Sequence, residues 1–233
     1  MADPRIARVV DLETTGTPDD DNAEIIEMGR IDVHIPTLKI GRPWRSFASP
    51  RGPIPPTTKA VHHITEEDVK GAPIARELWD DFFKDLDATN VLVAHNARFE
   101  QHFIPSDGRQ WVCTYKCARV VWPDAPGHGN QALRYWLGLE LDAERTSPPH
   151  RALPDAYVTA HILCELLKLK SIHYLIEVSK YPTLLKVMNF GKHKGTAFAD
   201  APEDYLVWLR DKSEMDEDTK FSAGYWLKKR GQQ

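Results

Sequence analysis

The chain has 233 residues, of which 42% are hydrophobic and 27% charged, and this composition is typical of one globular domain with room for a small appendage. No apolar run reaches about 18 residues and the N-terminus has no signal-type segment. Three cysteines without a CxxC pair argue against a disulfide framework or a structural zinc site. We therefore expect a cytoplasmic protein with no membrane span. The formal net charge of −4 repels polyanions, so binding of nucleic acid would require bound cations or local basic patches.

Apolar runs and helical spacings predict strands and helices that alternate along most of the chain. The predicted strands cover residues 6–10, 24–35, 44–48, 91–94 and 111–114. The predicted helices cover residues 74–86, 97–104, 115–122, 130–137 and 154–169, after one short helix before residue 63. Early strands followed by strand–helix alternation favour an α/β domain with a mixed sheet over residues 1–175.

The pattern changes after residue 181. Residues 187–202 predict a small hairpin whose loop reads Gly-Lys-His-Lys-Gly, and residues 204–212 and 219–230 predict two short helices. We therefore expect a small C-terminal appendage, made of a hairpin and helices, over residues 182–233.

Two acids follow the first predicted strand, in the stretch ARVVDLETTG. Asp11 and Glu13 are two positions apart, so on a strand they point to the same face. Two carboxylates side by side repel each other unless a positive charge lies between them. Taken alone, the pair is better interpreted as surface acids at a solvated strand end, because short motifs have many false positives.

A second polar cluster follows the strand at residues 91–94, in the stretch VAHNARFE. His95 and Asn96 end the strand, and Glu100 lies in the first turn of the next helix. Strand ends in α/β sheets are common ligand-binding positions. The structural alternative is that Asn96 caps the helix and that Glu100 is an acid favoured near a helix N-terminus.

The third cluster lies at the start of the strongest helix, in the stretch PHRALPDAYVTA. His150 and Asp155 are five positions apart there, and His150 alone is more often a surface or capping residue. Together with Asp11, Glu13 and Glu100, however, they fit one chemistry. Carboxylate oxygens suit Mg²⁺ or Mn²⁺, two such ions catalyse phosphoryl displacement, and a histidine can take a proton from the attacking water.

The three stretches together resemble the motifs of the DnaQ-like, or DEDDh, 3′-5′ exonuclease superfamily. VVDLETTG is similar to its first motif, VAHNARFE to its second, and HRALPDA to its third in the histidine form. The segments AVHHITEEDV, WVCTYKCARVVWP and FGKHKG followed by PEDYLVWL extend the resemblance to the bacterial exodeoxyribonuclease X family. The resemblance implies a ribonuclease H-like mixed sheet flanked by helices, with an exonuclease X-like C-terminal segment.

The same resemblance implies an activity and a set of site residues. The expected enzyme removes nucleoside 5′-monophosphates from DNA 3′ ends with two Mg²⁺ or Mn²⁺ ions, in DNA repair. Asp11 would bridge the ions, Glu13 and Asp155 would complete the first metal site, Glu100 would serve the second, and His150 would be the general base. The superfamily usually has aspartate at position 100, so the longer glutamate predicts either a helix set further back or a ligand acting through water.

Contacts with nucleic acid are expected from residues near the motifs and from the basic loop of the appendage. The predicted contacts are Thr14, Thr15, His62, Asn96, Arg98, Arg151, Lys192 and Lys194, with Lys116 and Arg119 as further basic candidates. The alternative for the Lys192 loop is a solvated hairpin tip.

The substrate is expected to be single-stranded or duplex DNA with a 3′ end, but the motifs do not select the sugar. An RNA-trimming enzyme of ribonuclease T type, a proofreading subunit acting with a polymerase, and a catalytically inactive nucleic-acid binder stay open as alternatives. The sequence predicts neither a protein partner nor an oligomeric state.

Overall fold

A mixed six-stranded sheet forms the centre of the computed structural model, which describes residues 3–105 and 107–231. The strands are β1 (Ile6–Thr14), β2 (Ile25–His34), β3 (Lys39–Ile40), β4 (Trp44–Phe47), β5 (Val91–Ala94) and β6 (Trp111–Cys113). Their order is β3-β2-β1-β5-β6, and β4 also pairs with β2. Strand β1 runs antiparallel to β2 and parallel to β5, and β5 runs parallel to β6.

Helices flank this sheet and also build the C-terminal part of the chain. They are α1 (Pro56–His62), α2 (Glu66–Val69), α3 (Trp79–Phe83), α4 (Ala97–Phe103), α5 (Thr114–Val121), α6 (Asn130–Trp136), α7 (Ala152–Leu169), α8 (Ile172–Lys180), α9 (Glu203–Asp211) and α10 (Glu217–Arg230). The α/β class and the ribonuclease H-like mixed sheet flanked by helices are confirmed. Among the residues described, no helix is long and apolar enough to cross a membrane.

The alternation of β1 divides the core between the two faces of the sheet. Ala7 and Val9 belong to the cluster that packs under α7 and α8, whereas Val10 and Leu12 belong to the cluster on the opposite face. Odd-numbered residues of β1 therefore face α7. The acids at positions 11 and 13 continue this odd-numbered face beyond the apolar part of the strand, which directs them toward the start of α7.

The predicted end of the first domain, near residue 175, falls inside α8. Leu175 and Ile176 in this helix are buried in the same core cluster as β1 and α7. The Ser179 hydroxyl also accepts a hydrogen bond from the Cys113 amide at the end of β6, at 2.8 Å. Helix α8 therefore packs on the sheet along its length, and the domain boundaries stay a prediction.

The C-terminal segment has its own small core, formed by residues that include Met188, Phe198 and Leu206. The predicted hairpin is present in short form: Val187 and Ala197 form an antiparallel bridge, and the Met188 amide donates to the Thr196 main-chain oxygen at 3.0 Å. The predicted helices are present as α9 and α10. We refer to residues 182–231 as the C-terminal unit, and its status as a separate domain stays a prediction.

A buried ion pair joins the C-terminal unit to the sheet domain. Arg119 of α5 donates from Nη1 to Asp218 at 3.0 Å and to Asp216 at 3.2 Å, and both Arg119 and Asp218 are buried. Lys116 lies 3.8 Å from Asp218. The two basic groups therefore lie against acids at the start of α10, and their contacts with nucleic acid stay a prediction.

Candidate active site

Three carboxylates meet where β1 ends and α7 begins. Asp11 and Glu13 lie on the α7-facing side of β1, and Asp155 lies in the first turn of α7. Each residue offers one carboxylate oxygen, and these oxygens all lie within 4.8 Å of one another. The structure therefore brings together the acids of the first and third sequence motifs, although about 140 residues of chain separate them.

Burial raises the pKa of all three carboxyl groups, and neighbouring acids raise it further at Asp11 and Glu13. The pKa of Asp11 is raised well above its usual value by burial and then by the charges of Glu13 and Glu100. Burial, followed by the charge of Asp155, raises the pKa of Glu13 to about 8. The pKa of Asp155 is also raised, by burial. A cluster of partly buried acids that disfavours its own ionised form is stabilised by a cation, and oxygen ligands suit Mg²⁺ or Mn²⁺.

Glu100 adds a buried carboxylate near this cluster. Its residue is 4% exposed, and burial is the main reason why its pKa rises to about 8. Its Oε2 atom has no hydrogen-bond partner among the described residues. A buried carboxylate oxygen without a partner is costly, and a cation or a metal-bound water would satisfy it. Asp11, Glu13 and Asp155 therefore fit a divalent metal site. Glu100 lies outside the group of three whose oxygens meet, and its ligation of a metal stays a prediction.

His150 lies at the rim of the carboxylate cluster, two residues before α7. Its backbone is in the left-handed conformation, with φ 59°, and the residue is exposed. Its amide donates a hydrogen bond to Oδ2 of Asp155 at 2.9 Å, so the histidine and the acid of the third motif are joined through the main chain. An exposed imidazole beside a metal-binding cluster is suited to accept a proton from water.

Sequence reasoning missed two residues that hold Asp155 in place. Gln131 donates from Nε2 to Oδ1 of Asp155 at 3.2 Å. Asn130 donates from Nδ2 to the main-chain oxygen of Asp155 at 3.2 Å and to the Thr159 hydroxyl at 2.7 Å. Both residues begin α6 and belong to none of the three motifs, so only the folded arrangement of α6 against α7 reveals their role.

His95 of the second motif has a structural role. Its Nε2 lies 2.9 Å from the His128 main-chain oxygen, and its Nδ1 lies 2.9 Å from the Thr114 hydroxyl. Since Nε2 faces a carbonyl acceptor, the neutral ring carries its proton there and accepts from Thr114 at Nδ1. Burial lowers the pKa of His95 to about 4, so the ring stays neutral near pH 7.

Among the predicted nucleic-acid contacts, His62, Thr14 and Thr15 are buried. His62 is 2% exposed, and its Nδ1 accepts a hydrogen bond from the Ile64 amide at 2.9 Å. The Thr14 hydroxyl donates to the Gly16 main-chain oxygen at 2.6 Å, and the Thr15 hydroxyl accepts from the Glu24 amide at 2.9 Å. Contacts by these three residues stay a prediction.

The remaining predicted contacts differ in their availability. Asn96 and Arg98 are exposed and line a cleft of about 1450 Å³ whose other wall includes Lys220 and Phe221 of α10. Lys194 is exposed, and the Lys192 ammonium lies 5.1 Å from the centre of the Tyr205 ring. The guanidinium of Arg151, by contrast, is bound to Glu27. These contacts stay predictions.

The comparison with known protein families agrees with this geometry. Residues 9–163 match the family model described as Exonuclease, of the RNase T type. The protein belongs to this exonuclease family. This 3′-5′ exonuclease, a hydrolase, is thus a member of the DnaQ-like DEDDh superfamily, as its three motifs predict. A second model, described as Putative quorum-sensing-regulated virulence factor, matches residues 180–214 of the exonuclease.

Individual relatives support the same assignment. The exonuclease is 31% identical over 207 residues to Exodeoxyribonuclease 10 of Escherichia coli (strain K12), a match that covers 87% of this chain and 89% of the relative. It is similar to a solved structure of exonuclease X in complex with 5′ overhanging duplex DNA, with 30% identity, a TM-score of 0.63, and coverage of 74% of this chain and 99% of the other. The predicted resemblance to exodeoxyribonuclease X is therefore confirmed.

A more distant structure shows how widely the fold is shared. The nuclease domain of 3′hExo, a DEDDh family member bound to rAMP, is 18% identical, has a TM-score of 0.59, and covers 72% of this exonuclease and 94% of its own chain. At this identity the likeness concerns the fold alone.

Proposed function

We propose that the protein removes nucleoside 5′-monophosphates one at a time from DNA 3′ ends, with two Mg²⁺ or Mn²⁺ ions. The observation that carries this proposal is the group of carboxylate oxygens of Asp11, Glu13 and Asp155, all within 4.8 Å of one another. This group lies beside an exposed histidine and near a fourth buried acid without a hydrogen-bond partner among the described residues.

The site residues divide between metal binding and proton transfer in the proposed reaction. Asp11, Glu13 and Asp155 would hold the first ion, and Asp11 together with Glu100 would serve the second. When bound, the ions supply neutralising charge at the scissile phosphate and lower the pKa of the attacking water. His150 accepts the proton of that water, and the hydrogen bond between its amide and Asp155 keeps the imidazole at the rim of the carboxylate cluster.

DNA is the proposed substrate because two similar proteins are described as acting on or binding it. One is an exodeoxyribonuclease, and another was solved with 5′ overhanging duplex DNA. We propose DNA repair in the cytoplasm as the setting of the activity, which is consistent with three buried, unpaired cysteines. A ribonuclease T type activity and a proofreading role with a polymerase partner are the alternatives.

The direct test uses DNA and RNA of one sequence, labelled in the 3′-terminal nucleotide. Single-stranded DNA, duplex DNA with a 5′ overhang and single-stranded RNA are incubated with the protein and Mg²⁺, and the labelled product is identified by chromatography. We expect a labelled nucleoside 5′-monophosphate from both DNAs, released faster than from RNA. Faster release from RNA would support the ribonuclease alternative, and labelled oligonucleotides as first products would contradict the proposed reaction.

A further inference from the structure

A buried ion pair lies directly beside the carboxylate cluster and is not part of the proposed chemistry. Glu27 of β2 is 1% exposed, and Arg151 follows the proposed base in the sequence. The guanidinium donates from Nη2 to Oε1 of Glu27 at 2.7 Å and from Nε to Oε2 at 2.9 Å. The Ala152 amide donates to the same Oε2 at 3.0 Å. Glu27 therefore binds both the residue before α7 and the first amide of that helix.

The negative charge of Glu27 is electrostatically unfavourable at this position unless the positive charge of Arg151 compensates it. Glu27 lies opposite Glu13 in the β1–β2 register, so two acids face each other across neighbouring strands. Glu27 also lies next to the carboxylate cluster, in a region that is already negatively charged. Since replacing a buried ion pair by apolar residues is often neutral or stabilising, stability alone is a weak reason for this pair. A role in fixing the geometry of the segment before α7 explains better why the Glu27–Arg151 pair lies there.

The segment that the pair holds is conformationally constrained. His150 has a positive φ of 59°, a conformation that is unfavourable for a non-glycine residue and persists only where neighbours enforce it. Two contacts enforce it here: its own amide is bound to Asp155, and the next residue is bound to Glu27.

Strand β2 also approaches the start of α7 without a side chain between them. A Cβ atom at Gly29 would lie 2.5 Å from the carbonyl carbon of Ala152 and 2.7 Å from the Leu153 nitrogen. The start of α7, two residues after His150, therefore packs directly on β2 at the glycine and is bound to the same strand by Glu27.

We propose that the Glu27–Arg151 pair is a positioning device that sets the His150 imidazole relative to the carboxylate cluster. Arg151 then acts through His150 and does not serve as a phosphate contact. Its side chain is 19% exposed, its Nε and Nη2 are occupied by Glu27, and its guanidinium lies 5.3 Å from the centre of the Phe47 ring. The inference rests on the proposed function, because it assigns His150 the role of general base.

The two possible roles of Arg151 give opposite results when arginine is replaced by lysine. A phosphate contact tolerates replacement of arginine by lysine, which acts as a point charge, whereas the bidentate contact with Glu27 does not. We expect Arg151→Lys and Glu27→Gln each to lower kcat by about 10–100-fold, as loss of a residue that orients a metal-site ligand does. The dissociation constant for single-stranded DNA in EDTA and its salt dependence should stay at wild-type values. Wild-type kcat with weaker DNA binding or a flatter salt dependence would overturn the proposal.

A control and a spectroscopic readout separate positioning from a general loss of structure. Arg51 also donates from Nε to a glutamate, Glu24, at 2.8 Å, but its side chain is 85% exposed, so Arg51→Lys should leave kcat unchanged. In metal-free protein, the imidazole NMR signals of His150 should shift in Arg151→Lys and not in Arg51→Lys. Unshifted signals in Arg151→Lys would contradict the proposal.

The final test asks whether Arg151 acts through His150. In a His150→Ala background, Arg151→Lys should cause little further loss of the residual rate, because the group that it positions is absent. Losses that multiply would overturn the positioning role alone and leave the proposed reaction in place. A wild-type rate in His150→Ala itself would refute the general-base role, and with it this inference. Glu27→Gln provides the second variant if Arg151→Lys folds poorly.

Discussion

In the absence of divalent metal, the free energy of unfolding should decrease as the pH rises from about 6.5 to 8. In the folded protein the pKa of Glu13 and of Glu100 is raised to about 8, whereas the ordinary glutamate value is 4.5. Between these values the folded protein binds more protons than the unfolded chain, so its free energy of unfolding falls with increasing pH. The penalty is absent below about pH 4.5 and fully present above about pH 8. Raised pKa values at Asp11 and Asp155 act in the same direction.

The pH range from 6.5 to 8 lies above the range in which the buried histidines bind protons. The pKa of His95 is lowered to about 4, so its contribution rises with pH only between that value and the ordinary 6.5. One pKa unit corresponds to about 1.4 kcal/mol, so each carboxyl that is still protonated in the folded protein at pH 6.5 contributes a loss of up to about 2 kcal/mol by pH 8. Because the carboxyl groups repel one another, their titrations are coupled, and their separate contributions to the loss of unfolding free energy do not simply add.

The assay is urea unfolding followed by tryptophan fluorescence at pH 6.5, 7.25 and 8, in EDTA and in saturating Mg²⁺. We expect the free energy of unfolding to decrease with pH in EDTA, and to decrease much less in Mg²⁺ because the ion favours the charged carboxylates. Glu13→Gln should flatten the decrease in EDTA. A free energy that is constant or rises with pH in EDTA, or equal slopes with and without Mg²⁺, would refute the electrostatic reasoning.

Three further predictions concern single features of the structure. Glu100→Ala should lower kcat/KM by at least about 100-fold if its carboxylate serves a metal ion, directly or through water, and near wild-type cleavage would contradict that role. Gly29→Ala should destabilise the protein by about 1–3 kcal/mol in thermal unfolding, because its methyl group would collide with the Ala152 backbone, whereas Gly52→Ala, where a Cβ meets nothing within 4 Å, should have little effect. Replacing Lys192 and Lys194 together by glutamine should reduce the salt-dependence slope of DNA binding by about 2 if both contact phosphates, and an unchanged slope would show that the loop is a solvated tip.

The part of the fold that sequence predicts well is the part where local pattern and tertiary environment agree. Alternation along β1 places the acids at positions 11 and 13 on one face, and the apolar stripe of α7 directs that helix onto the same face. Helix α8 was missed because its nine residues follow α7 after only a short break. The glycine-bounded basic loop predicts a hairpin, and main-chain hydrogen bonds between residues 186–188 and 195–198 form it, together with packing of Lys192 on Tyr205 of α9.

The supports of the site could not be predicted because their partners are distant in sequence. Glu27 lies within an apolar strand pattern, and its partner Arg151 is 124 positions away. Gln131 is 24 positions from the acid that it contacts and belongs to no motif. The burial of His62 is a further feature that only the fold shows. The motifs therefore identify the proposed catalytic groups, and only the structure shows which residues hold them in position.

The central claim is that Asp11, with its neighbouring acids, binds the metal ions required for 3′-5′ cleavage of DNA. The most direct measurement compares release of the labelled 3′-terminal nucleotide by wild-type protein and by Asp11→Asn in Mg²⁺, with Asp21→Asn as a control at an exposed acid of the following loop. Asp11→Asn should be folded and at least about 100-fold slower, and Asp21→Asn should match wild type. Cleavage by Asp11→Asn at the wild-type rate would contradict the account.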